Sequence, residues 1–255
     1  MATAKKTGTA VAVKKASNVV SIQEQLKAQA AAMASRTAPP SGIRIKVTQD
    51  KKFALPNGQK DEGPLQLVVV DFVSRNEYYE GAYDPNNITS PACFAIHPEP
   101  KSMVPSANSP NKQADDCASC AMNQFGSAGK GKACKNTRLL AVLPPDADED
   151  TPMWLLSVSP TAVKGFDGFV GSVVRTFSTP PVGVVVSVGF NESEDFPSLV
   201  FSDPTPNENL GVHFGRQAEA KELLSAEPDT SSYATPAPAR GARPVARKPA
   251  VGARR

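Results

Sequence analysis

Ser159–Phe177 reads SPTAVKGFDGFVGSVVRTF, and its place in the chain decides the fold. Ser159 and Pro160 have the residue types of a helix start, a capping serine followed by proline in the first turn. Val163, Phe166, Val170, Val173 and Phe177 then recur at helical spacing. Three glycines weaken the helix without breaking its apolar face.

Strand patterns lie on both sides of it. Ile43, Ile45 and Val47 alternate with Arg44, Lys46 and Thr48, as in a half-buried strand. Asn57-Gly58 marks a turn, and Leu65–Val73 (LQLVVVDFV) is a β-rich buried run. A long polar segment follows from Ser74 to about Lys135. Strand character returns at Arg138–Leu143 and Met153–Val158, and after the helix at Val182–Phe190 and Ser198–Ser202. Residues 216–226 (RQAEAKELLSA) read as a closing helix. Three or four strands, a helix and two strands is the order of a small Greek-key barrel of the oligonucleotide-binding type, and other α+β sheets share it. The expected class is therefore mainly β, a barrel like the OB-fold with one or two helices.

The chain has 255 residues, 40% of them hydrophobic, enough for one large domain or two small ones. No apolar run approaches the roughly 20 residues of a membrane span. The N-terminal apolar patch is short and broken by Lys14 and Lys15, unlike a signal peptide. A soluble protein of a reducing cytoplasm is the expectation. The net charge of +3 conceals an asymmetry. Six cations face only Glu24 in residues 1–40, and six face only Asp229 in residues 229–255, leaving −7 on the body from 41 to 228. The C-terminal extension is rich in Pro, Ala, Gly and Arg and has little to bury, so disorder is expected; its arginines suit weak phosphate contacts or simple solubility. Ser21 and Glu24 have capping-box spacing at the head of residues 21–35, either a short docking helix or a partly helical linker.

All four cysteines fall within 42 consecutive residues: Cys93, then 23 residues, Cys117-x-x-Cys120, then 13 residues, Cys134. Three chemistries compete. Gly126–Ala133 nearly spells a phosphate loop, but Ala133 replaces the hydroxyl that holds magnesium, and the segment does not run from a buried strand into a helix. A disulfide or redox pair expects an oxidising compartment or a βαβ setting. Four thiolates suit a tetrahedral zinc, with Gly126, Gly129 and Gly131 letting the chain turn back to Cys134. Structural zinc held by Cys93, Cys117, Cys120 and Cys134, within an insertion spanning about 84–136, is the favoured reading; His97 is an alternative ligand, and the ligands do not separate zinc from iron. A catalytic zinc finds no His-Glu-x-x-His here. With His97 and His213 the only histidines and no nucleophile–base pairing legible, the chain reads as a non-enzyme.

Aromatic and basic residues crowd the same region. Tyr78, Tyr79, Tyr83 and Phe125 are candidates to stack bases, and Lys130, Lys132, Lys135 and Arg138 to pair phosphates. The alternatives are rings that fill a small core and lysines on a solvated loop.

The runs DFVSRNEYYEGAYDPNN (71–87), PACFAIHP (91–98) and CASC…GKGKACKNTRLLAVL (117–143) resemble a family of tailed-phage proteins, some of them labelled single-stranded DNA-binding proteins. The resemblance spans about residues 43–225. It implies a zinc-bearing oligonucleotide-binding barrel, single-stranded DNA as partner, a role in phage replication or recombination beside other replication proteins, and the host cytoplasm as location. Two departures stand out: the metal sites of such proteins often include histidine, and their tails are usually acidic where this one is basic. The rival readings are a regulatory factor bound to a host or phage polymerase, motivated by the acidic body, and a virion component.

Overall fold

The computed structural model describes residues 43–81 and 89–233, together with Gln25 and Gln29, both helical. Tyr83, most of the 21–35 segment and most of both basic extensions lie outside the described residues. Residues 1–43 and 44–255 form separate units.

At the centre of the second unit is one nine-stranded, curled sheet, a half-barrel. The strands are β1 (Arg44–Val47), β2 (Phe53–Ala54), β3 (Lys60–Asp61), β4 (Leu65–Tyr78), β5 (Cys93–His97), β6 (Lys135–Leu143), β7 (Trp154–Val158), β8 (Val184–Phe190) and β9 (Leu199–Pro206). Their order is β3-β2-β1-β7-β6-β4-β8-β9, with β5 also on β4. β1 and β7 are parallel; the other pairs are antiparallel.

β4 is the spine. Its first residues, Leu65–Leu67, pair with β8, and Ser74–Tyr78 pair with β5. β6 runs along most of its length, with an irregularity between Val69 and Asp71. The strand thus continues to Tyr78, past the apolar run that ends at Val73. Ser74–Tyr78 are polar, and cross-strand hydrogen bonds to two neighbours carry them where hydrophobicity does not.

Three helices are described in this unit: α1 (Val163–Phe177), α2 (Leu210–Gly215) and α3 (Gln217–Ser225). α1 starts at Val163, beyond the expected capping serine. Ser159 instead closes the preceding turn, its carbonyl accepting from the amides of Ala162 and Val163. Phe166, Phe169 and Val173 are buried, while Gly165 and Gly168 face outward, where their missing side chains cost no packing. The expected closing helix, 216–226, forms as α3, and a second short helix, α2, precedes it.

Two apolar clusters cover the two faces. On one face α1 sends Phe166 among Ile45, Leu67, Val69, Leu140, Val142, Leu156 and Val158. Its ring meets Phe72 and Phe201 edge-on, centroids 5.0 Å away in each case, a geometry that favours aromatic pairs. On the other face Ala220 and Leu224 of α3 pack on Val73, Leu139, Ala141, Leu143 and Leu155. His213 is fully buried, with Nε2 3.0 Å from the Pro144 carbonyl and Nδ1 2.9 Å from that of Asn209. It anchors α2 to the turn after β6, a structural use that leaves it no free nitrogen for chemistry.

Candidate metal and nucleic-acid site

The insertion between β4 and β6 is mostly irregular, but Cys93 is not part of a loop. It opens β5 directly opposite Tyr78. Cys117 and Cys120 sit in a turn that leads into a short 3₁₀ helix (Ala121–Asn123), and Cys134 immediately precedes β6. The four cysteines, 93, 117, 120 and 134, therefore come from a strand edge, a turn and a strand entry. All four are buried, none is in a disulfide, and together they line one cavity of about 10 Å³. That volume is near one small occupant.

The cavity's other walls include Asn76, Tyr78, Phe94, Met122 and Asn123. Burial pushes the Cys134 thiol up to about 12, with smaller contributions from the other three cysteines. Burial also raises Cys117, opposed by a hydrogen bond from Asn76 that favours its thiolate. Among the described residues, no group of three or more His, Cys, Asp or Glu side chains is set to hold a metal ion. The four thiols thus share one small cavity without standing in a ligand arrangement. His97 lies at the far end of β5, opposite Ser74, with Nδ1 3.0 Å from the Glu99 amide nitrogen. It lines a different, open cavity of about 820 Å³ with Phe72, Ile96, Val104 and Lys221.

A polar network joins the insertion to the sheet. Asn136 donates to Asn76 Oδ1 at 2.6 Å and to Asn123 Oδ1 at 2.9 Å. Lys132 Nζ donates to Asn136 Oδ1 and Asn123 Oδ1, and Asn123 reaches the Cys117 carbonyl at 2.7 Å. Cys134 N–H donates to the Met122 carbonyl. None of these asparagines stands out in the sequence, because amide side chains carry no periodic or spacing signal.

The near-phosphate-loop residues form a hairpin tip. Gly126 and Gly131 are joined by a backbone hydrogen bond, Ala128 and Gly131 by a bridge, and a strand follows where a phosphate loop needs a helix. Gly126 and Gly129 have φ of 93° and 61°, values open to glycine at little cost. Phe125 stands at this tip, 82% exposed, with Lys132 Nζ 5.1 Å from its ring centroid. Lys130 and Lys135 are exposed.

The other candidates disperse. Tyr78 is half-buried at the cysteine cavity. Tyr79 lies on the opposite side of β4, its hydroxyl donating to Glu77 Oε2 at 3.2 Å, and Tyr83 is outside the described residues. Arg138 leaves the set of phosphate contacts. It is 8% exposed, and its Nε and Nη2 donate to Asp167 of α1 at 3.1 and 2.8 Å. Lys135 and Arg138 share β6, but register turns Arg138 inward, opposite Ser74.

No family model, curated protein or solved structure matches the chain.

Proposed function

We propose that this protein binds single-stranded DNA without catalysing a reaction, in the replication or recombination role that the phage resemblance implies. The observation that carries the reading is Phe125, a large apolar ring held in solvent at a hydrogen-bonded hairpin tip, with Lys132 over it and Lys130 close in sequence. Exposing such a ring forfeits burial, and base stacking beside phosphate-pairing cations offsets that loss. The order β9-β8-β4-β6-β7, with α1 between the third and fourth of these strands in sequence, further supports an oligonucleotide-binding type of barrel.

In this reading Cys93, Cys117, Cys120 and Cys134 hold a structural zinc after their side chains turn toward the shared cavity. Zinc would supply folding energy and displace the thiol protons. The Asn76 amide at Cys117 is the kind of partner that steadies a ligating sulfur.

The test is metal content and an oligonucleotide titration at two salt concentrations on one preparation. Zinc at one per chain and salt-weakened binding to single strands are expected; absence of any affinity overturns the DNA reading. A protein-binding role is the second reading, favoured by Leu210 and Phe214, exposed apolar residues one turn apart on α2. Recovery of a specific partner from nuclease-treated lysate, lost on Phe214→Ser, would favour it.

A further inference from the structure

The face of the sheet that carries α3 is divided. Ala220 and Leu224 cover the rows containing Val73, Leu139, Ala141 and Leu155. Strand register turns further side chains the same way. On β1, Arg44 pairs with Leu155, so Arg44 and Lys46 share this face, while Ile45 enters the opposite core. On β7 it is Ser157, on β6 Thr137 and Lys135, and on β4 Arg75 and Glu77. Tyr79 continues the β4 row. Arg44, Lys46, Arg75 and Lys135 thus share this face with two acids of the described strands, Glu77 and Asp71, the latter in the row of Ala141, Leu155 and Arg44.

The Glu77 carboxylate is heavily shared. Arg75 Nη2 is 3.5 Å from Glu77 Oε1, a loose pair, and the Tyr79 hydroxyl takes Oε2. Arg75 is 5% exposed, and its Nε meets no acceptor among the described residues. A buried guanidinium with an unmet donor is costly. Partial burial and then the nearby Arg75 charge push Arg44 below its ordinary value, with Glu77 and Tyr79 acting the other way, so the two guanidiniums oppose one another. An added anion would ease that opposition.

We infer that this face is a second contact for single-stranded DNA, in which Arg75, Arg44 and Lys46 take backbone phosphates and Tyr79 offers its ring to a base. It rests on the DNA-binding reading but uses none of the hairpin-tip residues. The phosphodiester suits the site because each carries one charge and two free oxygens, matching a planar guanidinium fork. A neutral or cationic partner would leave the surplus charge in place.

The test uses the full-length protein and a fluorescent thymidine oligonucleotide of about 16 residues, titrated across a salt series. Arg44→Gln/Lys46→Gln changes two exposed side chains and is expected to melt like the parent. Losing two phosphate contacts should lower the salt slope by about 1.4 and the affinity about tenfold or more near 0.1 M salt. Phe125→Ala, the comparison, should weaken binding with the slope unchanged. If the double variant keeps parental affinity and slope while Phe125→Ala weakens binding, this second contact is overturned and the DNA reading stands. If the parent itself does not bind, both fall. Arg75→Lys keeps the charge but removes the fork; parental binding by a folded Arg75→Lys would overturn the role given to Arg75.

Discussion

The α1 core and the cysteine insertion are ordered by different means. Around Phe166, apolar side chains from most strands of the sheet and from α1 close on one another. Across residues 98–134 only Met103, Pro105 and the three cysteines are buried. There the chain is held by backbone turns, the asparagine–lysine network and the convergence of thiols. Burial is non-directional and survives small shifts, whereas hydrogen bonds and metal ligation depend on a few placed atoms. A core of the first kind tolerates sequence change by volume; a segment of the second kind fails when one group is removed.

The strongest way to break this contrast is Phe166→Ala. It should cost about 3–5 kcal/mol, read as a fall in the denaturant midpoint of the whole domain. A loss confined to α1 would mean that the core is less cooperative than its packing implies.

Next comes the metal. In zinc-loaded protein, chelation or Cys117→Ser should raise amide exchange in residues 117–134 by about 100-fold, the equivalent of ~2.7 kcal/mol, and leave β4 and β6 much less affected. Uniform exchange along the chain would show that the insertion and the sheet are held by the same means.

Asp167→Asn leaves the Arg138 guanidinium buried beside a neutral amide. The half-exposed carboxylate lowers the penalty below that of a fully buried pair, to about 1–2 kcal/mol. Thermal melting checks it, and an unchanged transition would mean that water replaces the carboxylate.

Phe125→Ala should leave stability within about 0.5 kcal/mol of the parent, as for other surface changes, while weakening oligonucleotide binding. A large stability loss would move Phe125 from ligand contact to structural support.

The smallest effect concerns Glu227, which accepts from Ser106 Oγ at 2.6 Å and Asn108 Nδ2 at 2.7 Å. The Ser106 and then the Asn108 hydrogen bond hold its carboxyl below the ordinary carboxylate range. The tether is intact above the unfolded-state value and weakens as pH falls through the lower, folded one. Proteolysis after residue 226 should therefore accelerate only in that acid window, and Glu227→Gln should remove the dependence on pH.

Much of the fold is legible along the chain. Alternation in RIKV and the apolar run at 65–73 announce β1 and β4, and the spacing of Val163, Phe166 and Phe177 announces α1. Asn57-Gly58 marks a turn that the structure contains, with Gly58 at φ 85°. β5, the polar end of β4 and the short strands β2 and β3 are not legible, because their order comes from neighbouring strands and their side chains lack a strong pattern. Arg138 misleads for a related reason: its sequence neighbours are basic, but the side chain turns inward to Asp167.

The amino-acid sequence by itself determined a mainly β chain with one amphipathic helix between strands, and it clustered the four cysteines. Those features follow from local periodicity and spacing, which act over a few residues. Only the tertiary structure decided that the thiols share one cavity, that Phe125 stays in solvent while Arg138 is withdrawn, and that Arg44, Lys46 and Arg75 share a face. Those facts depend on strand register between segments distant in the chain, and register turns each side chain toward one face of a sheet or the other.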